Sequence, residues 1–157
     1  MSVFDDFDLI LDYAHMWNWV PDWYLAQSIY KKFPESYSIL TPFAYSYLEE
    51  MIRTTTSDYE LPLFDRDKQP VKVSVGMALI ALAIKENQNN PDYVALLEQA
   101  KRHFKYTQIS IDENGRNSVM HGRFHPRFWT KESFEQLIHD IAVLKIFTIL
   151  TRFDSAT

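Results

Sequence analysis

Cysteine is absent from all 157 residues. This removes disulfides, thiolate metal sites and cysteine nucleophiles, and it suits a reducing cytoplasm. Glycine occurs only three times, too rarely for a low-complexity or disordered chain. Long apolar runs are missing too. The longest, near Val75–Ile84, is about half the ~20 residues a membrane-spanning helix needs and is closed by Lys85 and Glu86. The N-terminus reads MSVFDDFDL, with acids where a secretory or transit peptide needs basic residues, so no export signal is apparent. These absences lead to the expectation of a soluble cytoplasmic protein with no membrane contact. Positive charge is in short supply as well. A net charge of −5 excludes a protein that coats nucleic acid through bulk charge.

What remains is a core-forming composition, 46% hydrophobic and 15% aromatic. A chain of this length buries roughly two-thirds of its unfolded surface around one core, so residues 1–157 are expected to form a single domain. Charge is unevenly spread. Residues 1–100 carry seven Lys and Arg against fifteen Asp and Glu, whereas residues 101–131 carry seven against two. That basic stretch also holds three of the five histidines, His103, His121 and His125. As charge alone, it would read as a solvated face.

Apolar periodicity predicts an all-α antiparallel bundle of about six helices. The first covers residues 5–17, with Phe7, Ile10, Leu11, Ala14 and Trp17 inward and Asp5, Asp6 and Asp8 at the positive end of the helix dipole. The second runs over 21–33, opened by Pro21, with Tyr24, Leu25, Ser28, Ile29 and Phe33 as its face. A third starts at Thr41 as N-cap with Pro42 in the first turn and Phe43, Tyr47, Leu48, Met51 and Ile52 inward. Its Glu49 and Glu50 oppose the dipole and are expected to find partners elsewhere. Residues 54–72 read as a long loop. Residues 73–87 are apolar on every side, which predicts a helix buried on most faces, with a strand still open for its first few positions. Residues 91–104 form the next helix, and Thr130 caps the last, whose stripe runs from Phe134 to Ile149 and includes Lys145. The aromatic sets Trp17/Trp19/Trp23 and Tyr45/Tyr47 suit core packing first and base stacking second.

The chemistry lies in residues 107–129, where Arg116-Asn117-Ser118-Val119-Met120-His121-Gly122 stands. A histidine moves protons near neutral pH, and an arginine fork matches phosphate oxygens. Together they suit attack by a 2′-hydroxyl on the adjacent phosphorus, with no metal or cofactor required. On a helix, Arg116 and His121 point about 140° apart, while Asn117 and His121 share a face. One copy is therefore incomplete, and a twofold pair would bring both residues of both chains around one cleft.

This motif resembles that of the HEPN superfamily, whose ribonucleases carry an arginine followed by a polar residue and a histidine four to six positions later. The resemblance covers the motif and the helical layout. It implies a helical domain, a dimeric cleft and metal-independent endoribonuclease activity on single-stranded RNA, commonly in toxin, antiphage or RNA-processing settings, where an antitoxin or other protein partner would be expected. By match, Arg116 stabilises phosphate and transition state, Asn117 orients the site, and His121 acts as acid or base. Lys101, Arg102, Lys105, Arg123, His125 and Arg127 are the candidates for holding the RNA backbone by charge, with Tyr106 or Trp129 to stack a base.

Other readings stay open. Tyr106–Ile111 before Asp112-Glu113-Asn114-Gly115 would also suit a β-hairpin, and His121 would also suit a helix end beside a Gly122 cap. A metal set of His121, His125 and His139 with Glu135 or Asp140 is disfavoured, because Gly122 and Pro126 interrupt the helix it needs. A second functional class is a non-catalytic HEPN-like nucleotide-binding or protein-interaction module, whose acidic N-terminal two-thirds would bind a basic protein.

Overall fold

The computed structural model describes residues 2–14, 18–59, 61–104 and 129–154, the last nine of them through the backbone alone. Six α-helices follow one another among these residues: α1 (Val3–Ala14), α2 (Val20–Lys32), α3 (Tyr37–Arg53), α4 (Met77–Glu86), α5 (Pro91–Ala100) and α6 (Lys131–Asp154). Single 3₁₀ turns lie at Pro34–Ser36 and Lys101–His103. No strand forms among the described residues, and one isolated antiparallel bridge joins Phe64 and Pro70. The chain is all-α, as its apolar periodicity predicts. α6 packs along α1 and α3, α2 packs on α1, and α4 touches α3 and α5, which closes back onto α6.

α1 begins two residues earlier than expected because Ser2 and Asp5 cap it reciprocally. The Ser2 amide donates to Asp5 Oδ2 at 2.6 Å, and the Asp5 amide donates to Ser2 Oγ at 3.3 Å. Bonding to its carboxyl from the Ser2 backbone first, and then from the Ser2 side chain, holds Asp5 below its ordinary pKa. Phe7, Ile10 and Ala14 are buried as expected. Trp17 lies outside the described residues. The chain then turns through Asn18 at φ 60°, a left-handed conformation that asparagine tolerates better than most residues.

α2 turns a different face inward from the one its spacing suggests. Trp23, Ala26 and Tyr30 are buried, while Tyr24, Leu25 and Phe33 are exposed. The larger aromatics decide the rotation. Trp23 packs edge-on to Phe7, Phe43 and Tyr47 at centroid distances of 4.9–5.8 Å, and Tyr30 meets Phe134 at 5.0 Å. Trp19 joins the same cluster against Phe43 and Tyr47. Trp23, Tyr45 and Tyr47 are core residues and are not available to stack bases.

α3 also departs from expectation. It starts at Tyr37, placing Pro42 inside the helix, although proline supplies no amide to the turn before it. Thr41 does not cap. Its hydroxyl donates back to the Tyr37 carbonyl at 2.7 Å, and burial of Leu40 and Thr41 gives the extra turn a packing role that offsets the missing bond. Glu49 does find its partner elsewhere, accepting the Gly76 amide at 2.7 Å where α4 begins. The described residues between α3 and α4 hold no helix, and Asp58 and Arg53 fix this loop by bonds to the backbone of Ser74.

α4 is not buried on most faces. Leu79, Ile80 and Ala83 are buried, while Met77 is exposed and Leu82 and Ile84 are half-buried. α5 is capped by Asn90, which accepts the Tyr93 amide at 3.1 Å. α6 is capped by Thr130, which accepts the Ser133 amide at 3.1 Å. Its inner stripe is Phe134, Leu137, Ile138, Ile141, Ala142 and Leu144, with Lys145 fully buried among them.

Candidate functional site

Arg116, Asn117 and His121 lie outside the described residues, as do Lys105, Tyr106, Arg123, His125 and Arg127, the metal alternative's His121 and His125, and the hairpin reading of 106–115. The structure describes the two ends of the segment that carries them. At the entry, α5 runs into the Lys101–His103 turn and the buried Phe104. At the exit stand the buried Trp129 and the Thr130 cap. Burial makes Trp129 a packing residue, not an exposed base platform.

The entry is held by one carboxylate. Asp140, midway along α6, accepts both Arg102 Nε at 3.0 Å and Arg102 Nη2, giving the two-pronged geometry that fixes an arginine most firmly. Asp140 Oδ2 also meets His103 Nε2 at 2.5 Å, and Gln136 donates to Oδ1 at 3.0 Å. Burial pushes the Asp140 carboxyl upward, but the bonds from His103 and Arg102 outweigh it and hold its pKa below the ordinary carboxylate value. His103 is buried, with the Tyr45 ring edge-on at 6.1 Å. A histidine so enclosed cannot reach a polymeric substrate, so the His103–Asp140 pair acts as a clamp between α5 and α6.

Of the two backbone-binding candidates that are described, Lys101 pairs with Glu98 at 2.6 Å and Arg102 is engaged by Asp140. Each of these positive charges is already matched within its own chain. Arg102 is still about half-exposed, so one side of its guanidinium faces solvent.

An open cleft of about 280 Å³ lies between α1 and α6, lined by Val3, Asp6, Glu132, Glu135, Gln136 and His139. His139 Nδ1 sits 3.2 Å from Asp6 Oδ1, and Glu135 accepts the Tyr30 hydroxyl at 2.9 Å. Burial first, then Glu135, push the Tyr30 phenol well above its ordinary pKa. With three carboxylates on its walls, the cleft repels phosphate and is no seat for an RNA backbone. A metal set of His139, Glu135 and Asp140 is not assembled either. Each has a separate partner, and no group of three or more His, Asp or Glu residues able to hold a metal occurs among the described residues.

Spacing alone missed two groups. Asp140 enters from the sequence only as a metal candidate, and no local pattern marks it as the partner of Arg102 and His103. Lys145 was visible as a cation inside an apolar stripe. Its ammonium donates to the Tyr47 hydroxyl and lies 4.7 Å from that ring's centroid, and burial lowers its pKa to about 7. No helix among the described residues is long and apolar enough to cross a membrane.

No protein-family model, curated protein or solved structure matches the chain. The case for function therefore rests on the residues themselves.

Proposed function

We propose that this chain is a HEPN-like, metal-independent endoribonuclease that cleaves single-stranded RNA through Arg116 and His121 at a cleft shared by two copies. The observation that carries the reading is the sequence Arg116-Asn117-…-His121-Gly122, set between two helices of an all-α chain. His121 takes the proton of the 2′-hydroxyl, the oxygen attacks the adjacent phosphorus, and the 5′-oxygen leaves, giving a 2′,3′-cyclic phosphate. Arg116 neutralises the charge gathering on the phosphorane oxygens, and Asn117 orients the pair. Lys105, Arg123, His125 and Arg127, with the open side of Arg102, supply the basic surround that draws the backbone in. The reading also suits a toxin or antiphage setting in which a protein partner restrains the nuclease.

Purified protein in EDTA is expected to cut unstructured RNA, and His121→Ala and Arg116→Ala are each expected to abolish cutting while keeping the helical circular dichroism. Equal cutting by either variant, or none by the wild type, refutes the assignment.

One observation favours the second reading, a non-catalytic module that binds a protein. Leu61, Leu63 and Phe64 are each exposed on the long loop, and exposed large apolar side chains offer contacts to a protein.

A further inference from the structure

Positive side chains at a protein surface are mostly held loosely. Lys101 meets Glu98, and Lys131 meets Glu135, along their own stretches of helix, and exposed pairs of this kind restrain a long side chain only weakly. Arg102 is held differently. Its anchor lies on another helix, where Asp140 of α6 accepts both Nε and Nη2.

The anchor is itself fixed. Only 12% of the Asp140 side chain is exposed. Its Oδ1 also accepts Gln136 one turn earlier on α6, and its Oδ2 also meets His103. His103 is in turn buried against Tyr45. Both carboxylate oxygens are therefore committed, and the Arg102 guanidinium is fixed along one edge.

A guanidinium is planar and directs its N–H donors along more than one edge. The Nε and Nη2 edge is taken by Asp140. The Nη1 donors have no partner among the described residues, and 47% of the side chain is exposed. A free guanidinium edge matches the paired oxygens of a phosphate. Because this one is already immobilised, it loses little side-chain freedom when an anion binds. Asp140 balances its charge, so the edge recognises a phosphate by donor geometry more than by bulk attraction.

Its place in the chain indicates which phosphate. Arg102 lies in the Lys101–His103 turn, at the entry to the segment that carries Arg116 and His121.

We propose that Arg102 seats one backbone phosphate of single-stranded RNA, and that Asp140 is the positioning residue that aims it without touching the RNA. Taking RNA as the source of the phosphate rests on the nuclease reading. The fixed guanidinium edge does not.

Binding is measured in a His121→Ala background, so that the RNA stays whole, by fluorescence anisotropy of a labelled oligouridylate over a salt series. Arg102→Lys keeps the charge but loses the planar fork, and should weaken binding about fivefold. Arg102→Gln should weaken it about tenfold and lower the slope of log affinity against log salt by roughly one. Asp140→Asn tests the positioning role through its sign. Loss of an acid strengthens RNA binding where charge alone matters, whereas here the folded variant should bind about fivefold more weakly. In an Arg102→Gln background the same change should weaken binding no further, because Asp140 acts through Arg102. A purely structural role would weaken both backgrounds alike. Arg102→Lys binding as tightly as the wild type, folded Asp140→Asn binding more tightly, or no RNA binding at all overturns the proposal. A wild type that cuts RNA, with binding unmoved in the Arg102 variants, overturns the phosphate seat and leaves the nuclease reading standing. A protein that cuts no RNA but loses binding in those variants does the reverse.

Discussion

Replacing Lys145 by methionine should stabilise the protein, and more so in mild acid than in mild alkali. Lys145 is fully buried in the core between α3 and α6, with its ammonium on the Tyr47 hydroxyl and against the Tyr47 ring. Burial takes its pKa from the ordinary 10.5 to about 7. At roughly 1.4 kcal/mol per tenfold change in the proton equilibrium, this corresponds to about 5 kcal/mol against the charged form in the folded state. The sign follows from proton uptake. Between pH 7 and 10.5 the unfolded chain holds a proton on Lys145 that the folded chain has released, so stability rises with pH across that window. Below about pH 7 both states are protonated, and the whole cost of the buried charge is present. Methionine keeps a similar unbranched shape without the charge but leaves the Tyr47 hydroxyl short of a partner, a loss of about 1–3 kcal/mol. The net expectation is a gain of about 2–4 kcal/mol at pH 6, falling away towards pH 10. Urea unfolding of both proteins at pH 6, 8 and 9.5, followed by tryptophan fluorescence, reads the difference directly. A less stable variant at pH 6, or a difference independent of pH, would refute the burial argument.

The clamp and the cap give two further expectations. Asp140→Asn should cost about 2–4 kcal/mol at neutral pH by leaving Arg102 and His103 without their shared anion. Because the folded Asp140 carboxyl titrates below its ordinary value, its contribution is present above the ordinary carboxylate range and is lost as pH falls through the lowered value. The gap between variant and wild type should therefore close in strong acid, and a gap that persists unchanged argues against the ion pair as its source. Glu49→Ala should cost about 1–2 kcal/mol and speed hydrogen exchange at the Gly76 amide. Unchanged exchange there would mean the carboxylate is not what holds the start of α4.

Helical periodicity made most of the architecture legible, because amphipathic spacing and caps act locally. Thr130 caps α6 as its position suggests. Where the reading failed, tertiary packing had outweighed a local rule. α2 rotated because Trp23 and Tyr30 bury more aromatic surface than Tyr24 and Leu25. Pro42 sits within α3 because Leu40 and Thr41 pack inward ahead of it. α4, apolar on every side, turns only Leu79, Ile80 and Ala83 into the core and leaves Met77 exposed. The Asp140 clamp was illegible because 37 residues separate it from His103, and no local pattern encodes that approach. Of the candidate site, sequence supplied the motif and its basic surround, and structure supplied the buried anchors Phe104 and Trp129 on either side of it.

The central claim is the chemistry of Arg116 and His121, and the ends of cleaved RNA test it most directly. Mass spectrometry of products formed by the wild-type protein in EDTA should show 2′,3′-cyclic phosphates facing 5′-hydroxyls, with none from His121→Ala. Products bearing 3′-hydroxyls and 5′-phosphates, cleavage that requires a divalent metal, or identical products from His121→Ala would contradict the account.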